Sequence, residues 1–247
     1  MSTLTNCCAS RTTVLLKSGL LALLATGFCT GGSCTINIDH PGDPGAVAGY
    51  VPLDEAFLDL RINASGGTAE ATAVITDLLH RIVRLRQGQG QEVAINGRAL
   101  VGPNVAGVYL ATLSAAGEYT VTVREPTRGV SNTNLQPPPG FSIVQPPPGG
   151  TASLSGFTVA WTNSDPALDV EITLTQVLFG AERTVTFGPF TDTGTQALSA
   201  AQLADFGQGA PLLITVTRIL ESPAVEGFRS AVASVEIPET VSVTPTP

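Results

Sequence analysis

Cysteine is missing from the last 213 residues of this 247-residue chain, because all four cysteines lie at or before position 34. Lysine is missing after Lys17, so ten arginines face 20 acidic residues beyond Cys34, and charged residues make up only 13% of the chain. A folded part without thiols has no disulfide framework. Its excess of ten negative charges argues against the basic stripe that nucleic-acid binding requires.

Residues 1–33 have the layout of a secretory signal peptide. Arg11 and Lys17 are the only charged residues before Cys34, and a leucine-rich apolar run covers residues 19–28. A helix that spans a bilayer needs roughly 20 apolar residues, so this run is too short. The pattern therefore predicts a cleaved signal rather than an anchor helix.

The residues just before Cys34 predict how the signal is processed. Gly31, Gly32 and Ser33 resemble the processing site of bacterial lipoproteins, although that family usually has leucine where Gly31 stands. The resemblance implies that Cys34 becomes the first residue and carries several acyl chains, which would hold the protein on a membrane. On this interpretation the protein is exported and lipid-anchored in the cell envelope.

Ordinary signal peptidase cleavage is the alternative. Ala25 and Gly27 supply small residues at the positions that this enzyme reads, which places the cut near residue 28. Cys34 would then stay an unmodified thiol, and the protein would be periplasmic or secreted.

The rest of the chain predicts an all-β protein with two β-sandwich domains in tandem, because it is poor in charge and rich in Thr, Val, Ala and Gly. The predicted segments are a signal peptide (1–33), a flexible tether (34–48), β-sandwich domain 1 (49–126), a Pro-rich linker (127–140), β-sandwich domain 2 (141–238) and a disordered tail (239–247).

Domain 1 is predicted from short alternating segments. Apolar residues alternate over residues 56–63, which is the period of a half-buried strand, and further strands are expected, one of them at residues 79–86. Asn96-Gly97 between two apolar runs predicts a hairpin turn. Gly117 and Tyr119 resemble the late strand of bacterial immunoglobulin-like modules, which implies a sandwich with the tyrosine at its corner.

Domain 2 follows two Pro-Pro-Pro-Gly segments that are typical of stiff spacers. Residues 154–163 resemble the second strand of a fibronectin type III-like sandwich, which implies that Trp161 faces the core. More apolar runs of strand length continue to residue 237.

Catalytic and metal-binding patterns are weak. His40 lies in the tether and His80 in the segment predicted as a strand, so no histidine pair is available for a zinc site. No nucleophile elbow or phosphate loop occurs. We therefore expect no enzyme, no cofactor and no metal.

Acidic clusters leave two alternatives open. The clusters consist of Asp39 and Asp43 with His40 in the tether, then Asp54, Glu55 and Asp59, then Asp165, Asp169 and Glu171. The last cluster could bind calcium, and the last two could supply paired carboxylates for glycoside hydrolysis. Acids at strand starts commonly cap turns, and we prefer that structural interpretation.

Arg81, Arg84 and Arg86 form the only basic cluster. They predict either a surface for an acidic partner or the solvent side of a strand that resists aggregation. The function expected from the sequence is a lipid-anchored envelope protein for binding, adhesion or spacing, with a protein or carbohydrate ligand. The alternative is a non-enzymatic accessory subunit of an envelope or export assembly.

Overall fold

The computed structural model describes residues 51–222 and 224–247 and is all-β. These residues belong to the compact unit Asp39–Pro247. Two short 3₁₀ turns, Leu53–Glu55 and Gln87–Gln89, accompany the strands. The predicted signal peptide, the predicted lipidation site Cys34 and the tether up to residue 48 lie outside the described residues.

Seven strands come from the first half of the chain. They are β1 (Phe57–Ser65), β2 (Thr68–Thr76), β3 (Glu92–Ile95), β4 (Arg98–Ala99), β5 (Val108–Ser114), β6 (Tyr119–Glu125) and β7 (Gly129–Leu135). The alternation expected for β1 is confirmed, since Leu58, Leu60 and Ile62 are buried and their neighbours are not. The hairpin at Asn96-Gly97 is also confirmed, because both residues have positive φ between β3 and β4.

Eight strands come from the second half. They are β8 (Ile143–Gln145), β9 (Thr151–Ser153), β10 (Gly156–Trp161), β11 (Asp169–Leu178), β12 (Ala181–Thr191), β13 (Thr195–Ser199), β14 (Leu212–Ser222) and β15 (Ser230–Thr246). Trp161 faces the core as expected and is buried.

The strands form one large sheet and two smaller ones. The eight-stranded sheet has the order β12-β11-β14-β15-β1-β2-β5, with β9 paired to β15. The smaller sheets have the orders β4-β3-β6-β7 and β13-β10-β8. Strand β15 is central, because its first half runs parallel to β1 while most of its length runs antiparallel to β14.

Two hydrophobic cores lie between these sheets in the manner of β-sandwiches. The first joins β1, β2, β5 and the start of β15 to β3, β6 and β7. The second joins β11, β14 and the end of β15 to β8, β10 and β13. Residues at alternate positions of β15 supply both, with Ala233 and Val235 in the first core and Val241 and Val243 in the second.

Two segments differ from the sequence prediction. Residues 239–247 were expected to be a disordered tail, but they belong to β15 up to Thr246, because Val241 and Val243 complete the second core. The expected linker at 127–140 contains β7, which pairs along its whole length with β6. Its polar alternation of Ser, Asn and Thr suits a strand with one solvated side.

Candidate functional site

The three predicted surface arginines lie in a loop. The segment 79–86 was expected to be a strand, but between β2 and β3 the chain forms only one isolated bridge, between Thr76 and Ile82. The strand prediction is wrong because His80 turns the chain with a φ of 59°. His80 is exposed at that turn rather than on a strand edge.

Asp77 organises the first turn of this loop. Its Oδ1 accepts hydrogen bonds from the backbone N–H groups of Leu79 (2.8 Å) and Arg81 (2.9 Å). Its Oδ2 accepts from Arg81 Nε at 2.7 Å, and Arg81 Nη2 lies 2.6 Å away. Burial raises the pKa of Asp77, but these hydrogen bonds to Arg81 and Leu79 outweigh it and leave the pKa below its usual value. The turn is therefore held by a charged carboxylate.

Tyr109 and Gln91 hold the rest of the loop. The Tyr109 hydroxyl donates to the Val83 carbonyl and accepts from the Leu85 N–H, both at 2.8 Å. Burial raises the pKa of Tyr109, so the hydroxyl stays a donor at neutral pH. Gln91 Oε1 accepts from the Arg86 N–H at 3.1 Å. The Arg84 side chain is exposed on the outer side of this hydrogen-bonded segment.

The same glutamine binds the start of the described chain. Gln91 Nε2 donates to the Val51 carbonyl at 2.8 Å and to Glu125 Oε2 at 3.2 Å. Glu125 Oε2 also accepts from the Leu53 N–H at 3.2 Å. Residue 51 is thereby fixed beside the arginine loop.

A second loop lies at the same end of the first core. Asn104 Oδ1 accepts from the N–H groups of Ala106 and Val108, and the Asn104 N–H donates to the Val108 carbonyl. The register places the start of β5 beside the end of β2, with Val108 opposite Val74. We call this end, made of residues 51–56 and the loops 77–91 and 101–107, the proximal end.

The proximal end exposes large apolar side chains. Leu79 is 70% exposed and Val105 is fully exposed, and Leu78 and Val101 are exposed beside them. The sequence did not identify these residues, and Leu79 among them was assigned to a strand at 79–86. Asp77, followed two and four residues later by N–H groups that its carboxylate binds, is an Asx-type turn signal that could have located the loop.

Two of the clustered acids have contacts of their own, while Asp59 and Glu171 both act electrostatically on Glu236. Asp165 caps its own turn by accepting from the Ala167 N–H at 3.0 Å, and Asp54 forms an ion pair with Arg128. Within residues 51–222 and 224–247, no three acidic, histidine or cysteine side chains converge as metal ligands would. The calcium alternative finds no support in this part of the chain.

The outer face of the large sheet is lined with hydroxyl groups. Hydrogen-bonded threonine pairs cross it at Thr173–Thr186 and Thr215–Thr240. The pKa of Glu236 on this face is raised, chiefly by burial and further by the negative charge of Glu171. The positive charge of Arg61 offsets part of this rise. Such cross-strand pairs stabilise a sheet, and they assemble no reactive centre here.

A buried polar cluster holds the second core. Asp192 Oδ1 accepts from Trp161 Nε1 at 2.6 Å, and the guanidinium of Arg218 lies 4.5 Å from the centre of the Phe141 ring. Arg218 also donates to the carbonyls of Pro139 (2.8 Å) and Thr162 (3.2 Å). These bonds bind the proline segment to the sheet, so the cluster has a structural role.

The concave surfaces are shallow. Depressions of about 320 and 270 Å³ flank Pro211, and their linings of Thr175, Val177 and Leu213 in one and Thr244 and Pro245 in the other contain no charged side chain. Neither depression therefore offers a charged group to orient a small polar ligand, although Gln176 and Ser242 also line the first.

No helix among the described residues has the length and hydropathy needed to cross a bilayer. Comparison of the whole chain with models of known protein families and with functionally characterised proteins gave no match.

Proposed function

We propose that this protein is an exported, lipid-anchored component of the cell envelope without catalytic activity. Its two cores would be tandem modules of the immunoglobulin-like and fibronectin type III-like kinds, which bind a protein or carbohydrate ligand or act as a spacer. Gly117 and Tyr119 support the first assignment by their sequence pattern, and Trp161 supports the second.

The position of residue 51 carries this proposal. Gln91 fixes it at the proximal end, and strand β15 continues from that end into the second core. A chain attached through Cys34 would thus hold the first core near the membrane and carry the second core outward. That arrangement suits a spacer or a displayed binding module.

Intact mass tests the anchoring. The protein is extracted with detergent from its own membranes, beside a Cys34→Ala variant. We expect a mass that begins at residue 34 with added acyl chains, and release of the variant into the soluble fraction. An unmodified chain that begins near residue 28, found in the soluble fraction, would replace this proposal with a periplasmic or secreted factor.

The accessory-subunit function has one observation in its favour. Strand β12 is an edge of the large sheet, and Phe179 at the tip of its hairpin is fully exposed. An edge strand can add a strand from a partner. Co-purification with envelope subunits only from native membranes, lost in Phe179→Asp, would favour this function. Binding of the purified protein to glycan or cell-surface panels would favour the first.

A further inference from the structure

We propose that the proximal end lies directly on an anionic lipid surface, with Leu79 and Val105 entering the headgroup region and Arg84 beside lipid phosphates. This inference rests on the proposed lipid anchor and adds a second, non-covalent contact to it.

Exposed apolar side chains are the first observation. Leu79 at 70% and Val105 at full exposure stand at the tips of two loops that emerge from neighbouring strands β2 and β5. Leu78 and Val101 widen the same region. Clustered exposed apolar residues on a soluble surface mark contact with a partner or a membrane.

Hydrogen bonds within each loop hold the backbone that presents these side chains. Asp77 accepts three hydrogen bonds within its own turn, and Asn104 closes the second loop with bonds to three backbone groups. Gly107 contacts Ile82 closely and ties the loops together, because a Cβ there would lie 2.7 Å from the Ile82 side chain. Moving Leu79 or Val105 into the protein would therefore require breaking these hydrogen bonds.

The charge of the loop 77–91 indicates the kind of surface that it contacts. The loop 77–91 carries three arginines against one acid, Asp77, which is buried and paired with Arg81, while residues 51–56 of the same end add Asp54, which is paired with Arg128, and the exposed Glu55. The chain as a whole has a net charge of −8, so this loop departs from its surroundings. A basic loop with apolar tips matches an anionic bilayer surface, which attracts arginine and accepts apolar side chains below its headgroups.

The attachment point makes this end the one that meets the membrane. Sixteen residues lie between Cys34 and Val51, so the tether spans at most about 60 Å when extended. Val51 is fixed to Gln91, whose side chain also binds the Arg86 backbone within the arginine loop. Tethering raises the effective concentration of the attached end at the surface, so a weak patch is sufficient there.

Tryptophan substitution provides the test. The chain has a single tryptophan, the buried Trp161, whose background emission is measured on the unsubstituted protein. Leu79→Trp is made in the full chain, with Val105→Trp as a second probe. Phe179→Trp is the control, because Phe179 is as fully exposed as Val105 and lies on a hairpin of the second core. The proteins are purified from membranes and reconstituted into phosphatidylcholine–phosphatidylglycerol vesicles with brominated acyl chains.

We expect blue-shifted and quenched emission from both proximal probes, with unshifted and unquenched emission from the Phe179→Trp control. Arg84→Gln in the Leu79→Trp background should lower the equilibrium constant for contact roughly fivefold, and phosphatidylcholine alone should weaken contact likewise.

Three other results would overturn the inference. Equal emission from the proximal and control probes on vesicles that retain the protein would reject surface contact and leave the anchor standing. A blue shift without bromine quenching would assign the patch to a protein partner or a second copy. Loss of the unsubstituted chain from the vesicles, with Cys34→Ala behaving identically, would reject the anchor itself and this inference with it.

Discussion

The Nε atom of Arg218 lies 2.8 Å from Oδ2 of Asp192, and neither side chain has any exposed surface. The contact is an ion pair without hydrogen-bond geometry, so the two atoms are held by charge alone. A buried pair of this kind stabilises only while both charges remain, because removing one partner leaves the other unpaired inside the protein.

Asp192→Asn or Arg218→Met should each lower the free energy of unfolding by about 3–5 kcal/mol. The double variant Asp192→Leu/Arg218→Met should cost less than the two single losses together, since it leaves no lone charge. Urea unfolding followed by Trp161 emission and circular dichroism measures both quantities. Arg124→Gln, which breaks the exposed pair with Glu92, is the control and should cost at most about 1 kcal/mol. Single losses as small as the control would contradict the interpretation.

Asp77→Asn should lower the free energy of unfolding at neutral pH by about 1–3 kcal/mol, because it removes the ion pair with Arg81 from a buried turn. The pKa of Asp77 is lower in the folded than in the unfolded chain. Its stabilisation is therefore fully present above the unfolded pKa, about 3.9, and is lost as the pH falls through the folded value.

Unfolding of the wild type and of Asp77→Asn at a series of pH values measures this effect. The stability difference between them should shrink below about pH 4. Arg81→Gln should reproduce part of the loss. A difference that stays constant with pH would show that the Asp77 charge does not hold the turn.

Val243→Ala should lower the free energy of unfolding by about 2 kcal/mol, because its side chain is buried in the second core. A chain that ends at residue 238 should lose much more, since it loses Val241 as well and the pairing of β15 with β9. Ser242→Ala, on the opposite face, should change stability by less than about 0.5 kcal/mol. Unchanged urea unfolding of the shortened chain would restore the expectation of a disordered tail.

Gly107→Ala should lower the free energy of unfolding by about 1–3 kcal/mol, because its φ of +79° is unfavourable for alanine and its Cβ would meet Ile82 at 2.7 Å. Part of that loss should disappear in an Ile82→Ala background, which separates the steric contact from backbone strain. Gly117→Ala, where a Cβ meets open space, should be nearly neutral. Equal losses in both backgrounds would show that strain alone acts.

The sequence predicted the elements whose signals are local. The alternation in β1 reflects one buried face, and the turn at Asn96-Gly97 reflects the two residues that best tolerate positive φ. Trp161 was placed in the core by the resemblance of its strand to a fibronectin type III-like sandwich, but its bond to Asp192 was not predicted, because 31 residues separate the two.

The failures have two physical causes, one a local turn and the other strand pairing between distant residues. Residues 79–86 alternate like a strand, yet a carboxylate at Asp77 closes them into a loop. Residues 239–247 contain two prolines, Pro245 and Pro247, and looked unstructured, yet β14 gives them a partner across the sheet. Because residues 79–86 were predicted as a strand, the exposure of Leu78 and Leu79 at this loop was not predicted. Only the arginines of the proximal end were identified from the sequence.

Strand β15 also sets the order in which this protein can fold. Phe57 pairs with Ser230, and the second core takes Val241 and Val243 from the same strand. Both cores consequently lack this strand until residues 230–246 have been made, and contacts between such distant positions form slowly. A nascent chain is thus kept from folding early. For the proposed exported protein, this delay would preserve the unfolded form that passes through a membrane channel.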